Sequence, residues 1–297
     1  MSKINTVAIC GGTHGNEYTG IYLVKQWQEN PELIQRSSFS SETLYGNTNA
    51  FRDNRRYLDC DLNRQFKNHD LADYSLTNYE QSRAKVINQQ LGPKGDARTD
   101  LIIDLHNTTS NMGPSLILLQ SDRFNLLMAS YVMQHMPEVV VIMEDKKPME
   151  QQAYLCSIAK QGVIVEIGPQ PQSVLRQDIM DWMATLTRHV LDFVDLYNQS
   201  QLPALPDSVE LFDYTETLKL PMDDQGERIG MVHRDVQDND FAPLNPGAPI
   251  FTLFSGEELY WEGDYIAYPH FINEAAYYDN NLAMSLSKKK VYLIPAE

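Results

Sequence analysis

Cysteine is scarce in this chain: Cys10, Cys60 and Cys156 are the only three in 297 residues. Three thiols make no paired framework, which excludes a disulfide-built scaffold and makes a reducing cytoplasm the expected setting. Long apolar runs are missing too. No stretch approaches the roughly 20 residues of a membrane span. Met1-Ser2-Lys3-Ile4-Asn5 passes almost at once into a strand-like run, so no signal peptide is expected. Positive charge is in deficit: 24 Lys and Arg face 40 Asp and Glu, for a net charge of -16. Nucleic acid and anionic membrane are held by basic surface, so neither is expected as a partner. The longest basic run, Lys288-Lys289-Lys290, precedes an apolar segment and reads as a solvated strand end. No internal repeat or low-complexity tract is visible.

What is present is an alternation of short apolar runs with helical patterns. Strand-like runs lie at Val7–Cys10, Glu42–Tyr45, Asp100–Leu105, Ser115–Leu119, Val139–Met143 and Val163–Ile167. Helical spacing marks Tyr18–Glu29, Asn78–Leu91 and Asp122–His135, and most clearly Ser173–Tyr197. Arg52–Lys67 is polar and aperiodic, hence a loop. This order predicts an α/β domain with a mixed, mainly parallel sheet and helices on both faces. The character changes at Gln201-Leu202-Pro203-Ala204-Leu205-Pro206. Short β-like segments follow, at Val209–Leu220, Ile250–Phe254, Tyr265–Tyr268 and Lys290–Ile294. Residues 1–206 are therefore expected to form the larger domain and 207–297 a smaller β-rich one.

Ligands of such sheets bind beyond the carboxyl ends of the strands. The first strand ends in Gly11-Gly12-Thr13-His14-Gly15-Asn16-Glu17, which sets an imidazole and a carboxylate three residues apart at a helix start. Both suit Zn²⁺, although H-x-x-E alone is a weak signal. His106 follows a later strand in the same way, with Asp104 two residues earlier as a group that would orient it. Taken singly, each reads equally as a solvated or locally bonded residue. Glu166 lies among Val163, Ile164, Val165 and Ile167, where a carboxyl is costly to bury unless paired or protonated, and where its pKa rises toward that of a general base. An exposed strand end is the alternative. Arg56 and Arg64 flank a polar loop with Asn63, suited to forked carboxylate binding or oxyanion stabilisation, or to plain solvation.

Five ordered segments change that balance. They are Gly11 to Glu17, Asp59-Cys60-Asp61-Leu62-Asn63-Arg64, Asp104-Leu105-His106-Asn107-Thr108-Thr109-Ser110-Asn111-Met112-Gly113, Glu166-Ile167-Gly168-Pro169-Gln170-Pro171-Gln172, and Asn273-Glu274-Ala275-Ala276-Tyr277-Tyr278. Together they resemble the aspartoacylase branch of the aspartoacylase/succinylglutamate desuccinylase family, relatives of the zinc carboxypeptidases. The resemblance implies a zinc-carboxypeptidase-like sheet with a β-rich C-terminal domain partly covering the cleft. It implies one Zn²⁺ per chain on His14, Glu17 and His106, with Glu166 as proton carrier and Arg56 on the oxyanion. Asn63, Arg64 and Tyr277 would grip the substrate carboxylate. The implied reaction is hydrolysis of an N-acyl amino acid, N-acetyl-L-aspartate in the type case, by a cytoplasmic homodimer.

One departure bears on the substrate. Aspartate-specific members carry an arginine before a Ser-Ile-Ala-Lys segment, and here that place is taken by Cys156, ahead of Ser157-Ile158-Ala159-Lys160. Gln152 stands where a tyrosine is usual. A thiol does not pair with a second carboxylate. N-acetylated aromatic amino acids, the substrates of the family's other vertebrate branch, are the alternative, unless Lys146 or Lys147 substitutes for the missing charge. A non-catalytic binder of N-acyl amino acids is a further alternative.

Overall fold

A computed structural model describes residues 3–277 and 279–296, so Tyr278 lies outside the described residues. The apolar runs form strands in the expected order: β1 (Thr6–Gly11), β2 (Ser40–Tyr45), β3 (Leu101–Asn107), β4 (Gly113–Leu118), β5 (Val140–Met143) and β6 (Gln161–Gly168). Between them lie α1 (Tyr18–Glu29), α2 (Thr48–Arg52), α3 (Asn68–Ala72), α4 (Tyr79–Leu91) and α5 (Arg123–His135), and α6 (Gln177–Asn198) follows β6. The C-terminal third adds β7 (Ser208–Lys219), β8 (Gly230–Val232), β9 (Pro249–Leu253), β10 (Glu258–Tyr260), β11 (Tyr268–His270) and β12 (Leu282–Leu293). Helix α6 begins four residues after the periodic pattern does. Pro171 and a positive φ of 63° at Ser173 keep that stretch out of the helix, and Val174 and Leu175 are exposed.

Nine strands form one sheet in the order β11-β12-β7-β5-β4-β6-β3-β1-β2, and β10-β9-β8 form a small second sheet. The pairs β1–β2, β1–β3, β3–β6, β4–β5 and β5–β7 are parallel, while β4–β6, β7–β12 and β11–β12 are antiparallel. Strand alternation sorts the core into two layers. Val7, Ile9, Leu101, Ile103, Val163 and Val165 face α1, α5 and α6. Ala8, Cys10, Ile102, Ile117, Ile142 and Ile164 face α4 and the loops beside it. At Gly11, where β1 meets α1, a Cβ would lie 2.3 Å from the Gly20 carbonyl oxygen, so the two backbones touch with no room for a side chain.

The C-terminal segment is β-rich, as expected, and one reading within it is revised. Its long strands β7 and β12 continue the large sheet, β7 pairing with β5 through Ile142–Phe212 and Met143–Asp213. Lys288, Lys289 and Lys290 lie within β12 rather than ahead of it. Their ammonium groups stand over the rings of Tyr265, Tyr268 and Tyr292, and those of Lys289 and Lys290 also reach Glu210 and Asp213. Cations paired with rings and carboxylates in this way sit in mid-strand rather than at a strand end.

Arg52–Lys67 is largely loop, with a 3₁₀ turn at Leu62–Arg64. It is fixed by Glu80, a fully buried carboxylate in the first turn of α4. Oε1 of Glu80 accepts from Leu58 N (2.7 Å) and Asn47 Nδ2 (3.0 Å), and Oε2 accepts from Asp59 N (3.0 Å) and Cys60 N (3.3 Å). Replacing Glu80 with alanine takes the acceptor from the main-chain N–H groups of Leu58, Asp59 and Cys60, so Glu80→Ala should cost about 3 kcal/mol. Urea unfolding measures the loss; a change within about 0.5 kcal/mol would show that the loop holds itself.

Candidate active site

The register of the sheet brings its polar side chains together. His106 on β3 is the Cα partner of Glu166 on β6, and Asp104 is the partner of Ile164. All four side chains therefore share the face that α4 covers only in part. The turn after β1 adds His14, and Glu17 directly precedes α1. Residue spacing alone made His14 and Glu17 neighbours; parallel pairing of β1 with β3 brings in His106 from far along the chain.

Glu17 is the centre of the cluster. Its Oε1 lies 2.7 Å from His14 Nδ1 and 2.9 Å from Arg56 Nη1. Its Oε2 lies 3.0 Å from His106 Nδ1 and accepts Asn107 N at 3.1 Å. The two Nδ1 atoms are 3.2 Å apart. Both rings are backed by a carboxylate on the other nitrogen: His14 Nε2 is 3.0 Å from Asp61 Oδ1, and His106 Nε2 is 2.9 Å from Asp104 Oδ2. Thr13 Oγ1 in turn donates to Asp104 Oδ1 at 2.7 Å. Carboxylates in that position fix ring orientation and leave the facing nitrogens to a metal.

His14, Glu17 and His106 each offer one donor atom, and these atoms lie within 4.8 Å of one another. Two imidazoles and one carboxylate are the donor set of hydrolytic zinc centres, whose tetrahedral ligands sit roughly 3.3 Å apart. The chemistry and the spacing both fit a metal. Burial alone would raise the Glu17 carboxyl, but the two imidazoles hold it well below the usual carboxylate range. Burial would lower His106, and Asp104 and Glu17 outweigh it, so this ring holds its proton well above the ordinary imidazole value. A metal taking this position displaces that proton.

Around the cluster lies a cavity of about 270 Å³ lined by His14, Arg56, Asn63, Arg64, His106, Glu166 and Tyr277 among others. Burial pushes the Glu166 carboxyl well above the carboxylate range; His106 and Arg56 oppose the shift, while the charges of Glu17 and Glu274 add to it. Arg56 Nη2 reaches Asp61 Oδ2 at 3.3 Å. For Asp61, burial is outweighed by His14, Arg56 and Arg64, and its pKa falls well below the usual value. Asn63 Oδ1 accepts Leu155 N at 2.7 Å, and its Nδ2 lies 3.4 Å from His106 Nε2. Arg64 lies over the Tyr154 ring at 5.2 Å. Burial pushes the Tyr277 phenol above its usual range.

The structure thus gathers His14, Glu17, Arg56, Asn63, Arg64, His106, Glu166 and Tyr277 into one site. Cys156 does not line it: that side chain is fully buried in the core layer with Ile164 and Leu155. Lys146 pairs with Asp213 at 3.2 Å, and neither it nor Lys147 lines the cavity. Sequence reasoning missed Asp61, Tyr154 and Glu274. Glu274 accepts from the hydroxyl of Thr108 and from Thr109 N (2.7 Å), tying the Tyr277 loop to the end of β3. The Asp59-Cys60-Asp61 run carried a signal for Asp61; nothing near Tyr154 marked it.

Comparison with known proteins agrees with this geometry. The family model for the succinylglutamate desuccinylase/aspartoacylase catalytic domain matches residues 3–194, and that for the AstE/AspA barrel-sandwich hybrid domain matches residues 207–289. An N-acyl-aromatic-L-amino acid amidohydrolase (carboxylate-forming) of Homo sapiens is 42% identical over 99% of this chain and 93% of its own. An aspartoacylase of Danio rerio is 41% identical over 98% of this chain and 94% of its own. The crystal structure of murine aminoacylase 3 superposes with a TM-score of 0.93 at 40% identity, covering 100% of this chain and 99% of that one. A succinylglutamate desuccinylase from Vibrio parahaemolyticus shares the fold, with a TM-score of 0.67 at 13% identity over 97% of this chain and 82% of that one. Two domain models in sequence order and near-full-length relatives make this chain a member of the succinylglutamate desuccinylase/aspartoacylase family.

Proposed function

We propose that the chain hydrolyses small N-acyl L-amino acids with neutral side chains, giving a carboxylate and a free amino acid, with one zinc ion per chain. The observation that carries this reading is the meeting, in one cavity, of a His–Glu–His donor set, a buried carboxyl and two arginines. Held by His14, Glu17 and His106, zinc supplies Lewis acidity that acidifies water and polarises a carbonyl oxygen. Glu166 takes a proton from the attacking water and returns it to the amide nitrogen as the C–N bond breaks. A carboxyl that burial holds above the ordinary carboxylate range suits both halves of that cycle. Arg56 faces the oxygen that gains negative charge, a contribution on the order of 3 kcal/mol. Arg64, with Asn63 and Tyr277, holds the substrate carboxylate through charge-assisted hydrogen bonds. In this reading residues 1–206 carry the metal and the proton chemistry. Residues 207–297 supply Tyr277 and close one side of the cleft, which keeps out longer peptides.

Side-chain preference follows from the cavity wall. Ile117, Ile142 and Ile164 are register partners on adjacent strands and line its floor. Beyond Arg56 and Arg64, no Lys or Arg lines the cavity among the described residues, and Glu144 does. An aspartate side chain would meet an apolar floor and a like charge. Relatives named for aromatic substrates and for aspartate match the chain about equally well, so the preference rests on the wall.

Zinc-loaded protein should release acetate from N-acetyltyrosine or N-acetylphenylalanine with kcat/KM ~100-fold above that for N-acetylaspartate, since juxtaposed like charges cost several kcal/mol. Chelation should stop all of it. Better turnover of N-acetylaspartate would overturn the side-chain reading, and no turnover of any substrate would overturn the reaction. Glu166→Ala should lower kcat about 10³-fold while elemental analysis still finds zinc; full activity would place the proton carrier elsewhere. For Arg64→Ala the expected signature is a KM raised about 100-fold with a smaller change in kcat, because carboxylate binding is shared by ground and transition states. An unchanged KM would remove Arg64 from the carboxylate site.

A further inference from the structure

Glu144 is a cavity residue that the proposed chemistry leaves without a task. It follows β5 by one residue, two beyond Ile142, so strand alternation turns it to the same face as the isoleucine floor. Its main chain is fixed at both ends: its N donates to Leu118 O at 2.8 Å, and its carbonyl accepts Gln152 Nε2 at 3.3 Å. The Oε1 of its carboxyl accepts the Tyr154 hydroxyl at 2.7 Å. Its Oε2 has no protein donor among the described residues. Burial raises the carboxyl, against the Tyr154 hydrogen bond and the nearby Arg64 charge. An acceptor with an open lone pair at a cavity wall favours any ligand that brings a donor to it.

Tyr154 touches both ends of this wall. Its ring lies under Arg64, with 5.2 Å from Cζ to the ring centroid, and its hydroxyl reaches Glu144. Arg64 and Glu144 thus meet the same aromatic side chain, the guanidinium over its ring face and the carboxyl at its hydroxyl. A substrate whose carboxylate sits on Arg64 would run its side chain over Ile117, Ile142 and Ile164 toward Glu144. A short aliphatic chain would fall short of the far end, and a carboxylate arriving there would face a like charge.

Building on the reading of the cavity as an N-acyl amino acid site, we propose that Glu144 is its specificity-determining residue. Its Oε2 accepts a hydrogen bond from a donor at the tip of the substrate side chain, as in a phenol or an indole N–H, and its charge turns away acidic side chains. The pair that isolates the first effect is N-acetyltyrosine against N-acetylphenylalanine, which differ by one hydroxyl. A buried site that hydrogen-bonds a substrate group discriminates strongly against the analogue lacking it. The wild-type protein should favour the tyrosine substrate about tenfold in kcat/KM, a ratio that Glu144→Leu should bring to about one. Glu144→Gln keeps an acceptor oxygen without the charge, so it should retain the preference for tyrosine and gain about tenfold on N-acetylaspartate relative to N-acetylphenylalanine.

A measurement on the wild type alone guards against a variant that fails to fold. L-tyrosine should inhibit competitively with a Ki about tenfold below that of L-phenylalanine. Equal inhibition constants, or the same tyrosine-to-phenylalanine ratio in wild type and Glu144→Leu, would overturn the assignment of Glu144 and leave the hydrolytic reading standing. Failure of the wild type to hydrolyse all three substrates would overturn both.

Discussion

One buried carboxylate organises this molecule's chemistry. Glu17 stands within hydrogen-bonding distance of two imidazoles, a guanidinium and a main-chain N–H, drawn from the first strand-helix junction, the Arg56 loop and the end of β3. A carboxylate taken out of water needs such partners, because each unpaired lone pair in a low-dielectric setting is costly. Satisfying Glu17 therefore brings together the groups that a metal and an amide would need. The same demand repeats one step outward. Asp61 and Asp104 hold the outer nitrogens of the two rings, and Glu80 holds the loop that carries Asp61. Charge is stacked in shells, each fixed by the one behind it.

The fold supplies the rigidity for this. Short strands with their side chains locked on both faces leave His106, Glu166 and the isoleucine row little freedom, and a site built on strands is held more closely than one built on loops. The irregular part, from Arg52 to Lys67, owes its order to carboxylate-to-backbone hydrogen bonds rather than to periodicity. Lys94 does similar duty behind the cavity, donating to Phe66 O, Gln152 O and Ser157 Oγ, and burial draws its ammonium down to about 8. It joins the Asn63–Arg64 turn to the segment that carries Tyr154.

Legibility in the sequence tracked the range of the interaction. The strands, the helices and their alternation were visible because their signals are local and periodic. His14 and Glu17 were visible as a pair by their three-residue spacing, although a turn before α1 brings them together rather than the helix itself. His106 and Glu166 were recognisable as strand-end residues, but that they are partners across β3 and β6 depends on register, which spacing does not encode. Glu80 and Tyr154 were silent: one reads as a solvated helix carboxylate, the other as an ordinary loop aromatic. Their work consists of contacts with segments distant in the chain. Cys156 shows the converse. A position expected to face the substrate from motif comparison is here part of the apolar core, its carbonyl pressed against Gly162, whose absent Cβ would sit 2.3 Å from it. The lysines of β12 read as a strand end because the rings and carboxylates that hold their ammonium groups in mid-strand lie elsewhere in the chain.

The parallel pairing of β7 with β5 has a consequence for how this polypeptide is divisible. Val209, Leu211 and Tyr292 belong to the same core layer as α5 and α6. A shortened version ending at Pro206 would leave β5 as a bare apolar edge and uncover that layer, a surface that invites strand addition by other copies. The two portions that the family models separate are thus unlike beads on a string. They are two stretches of one woven sheet, and a fragment cut between them should clump rather than work.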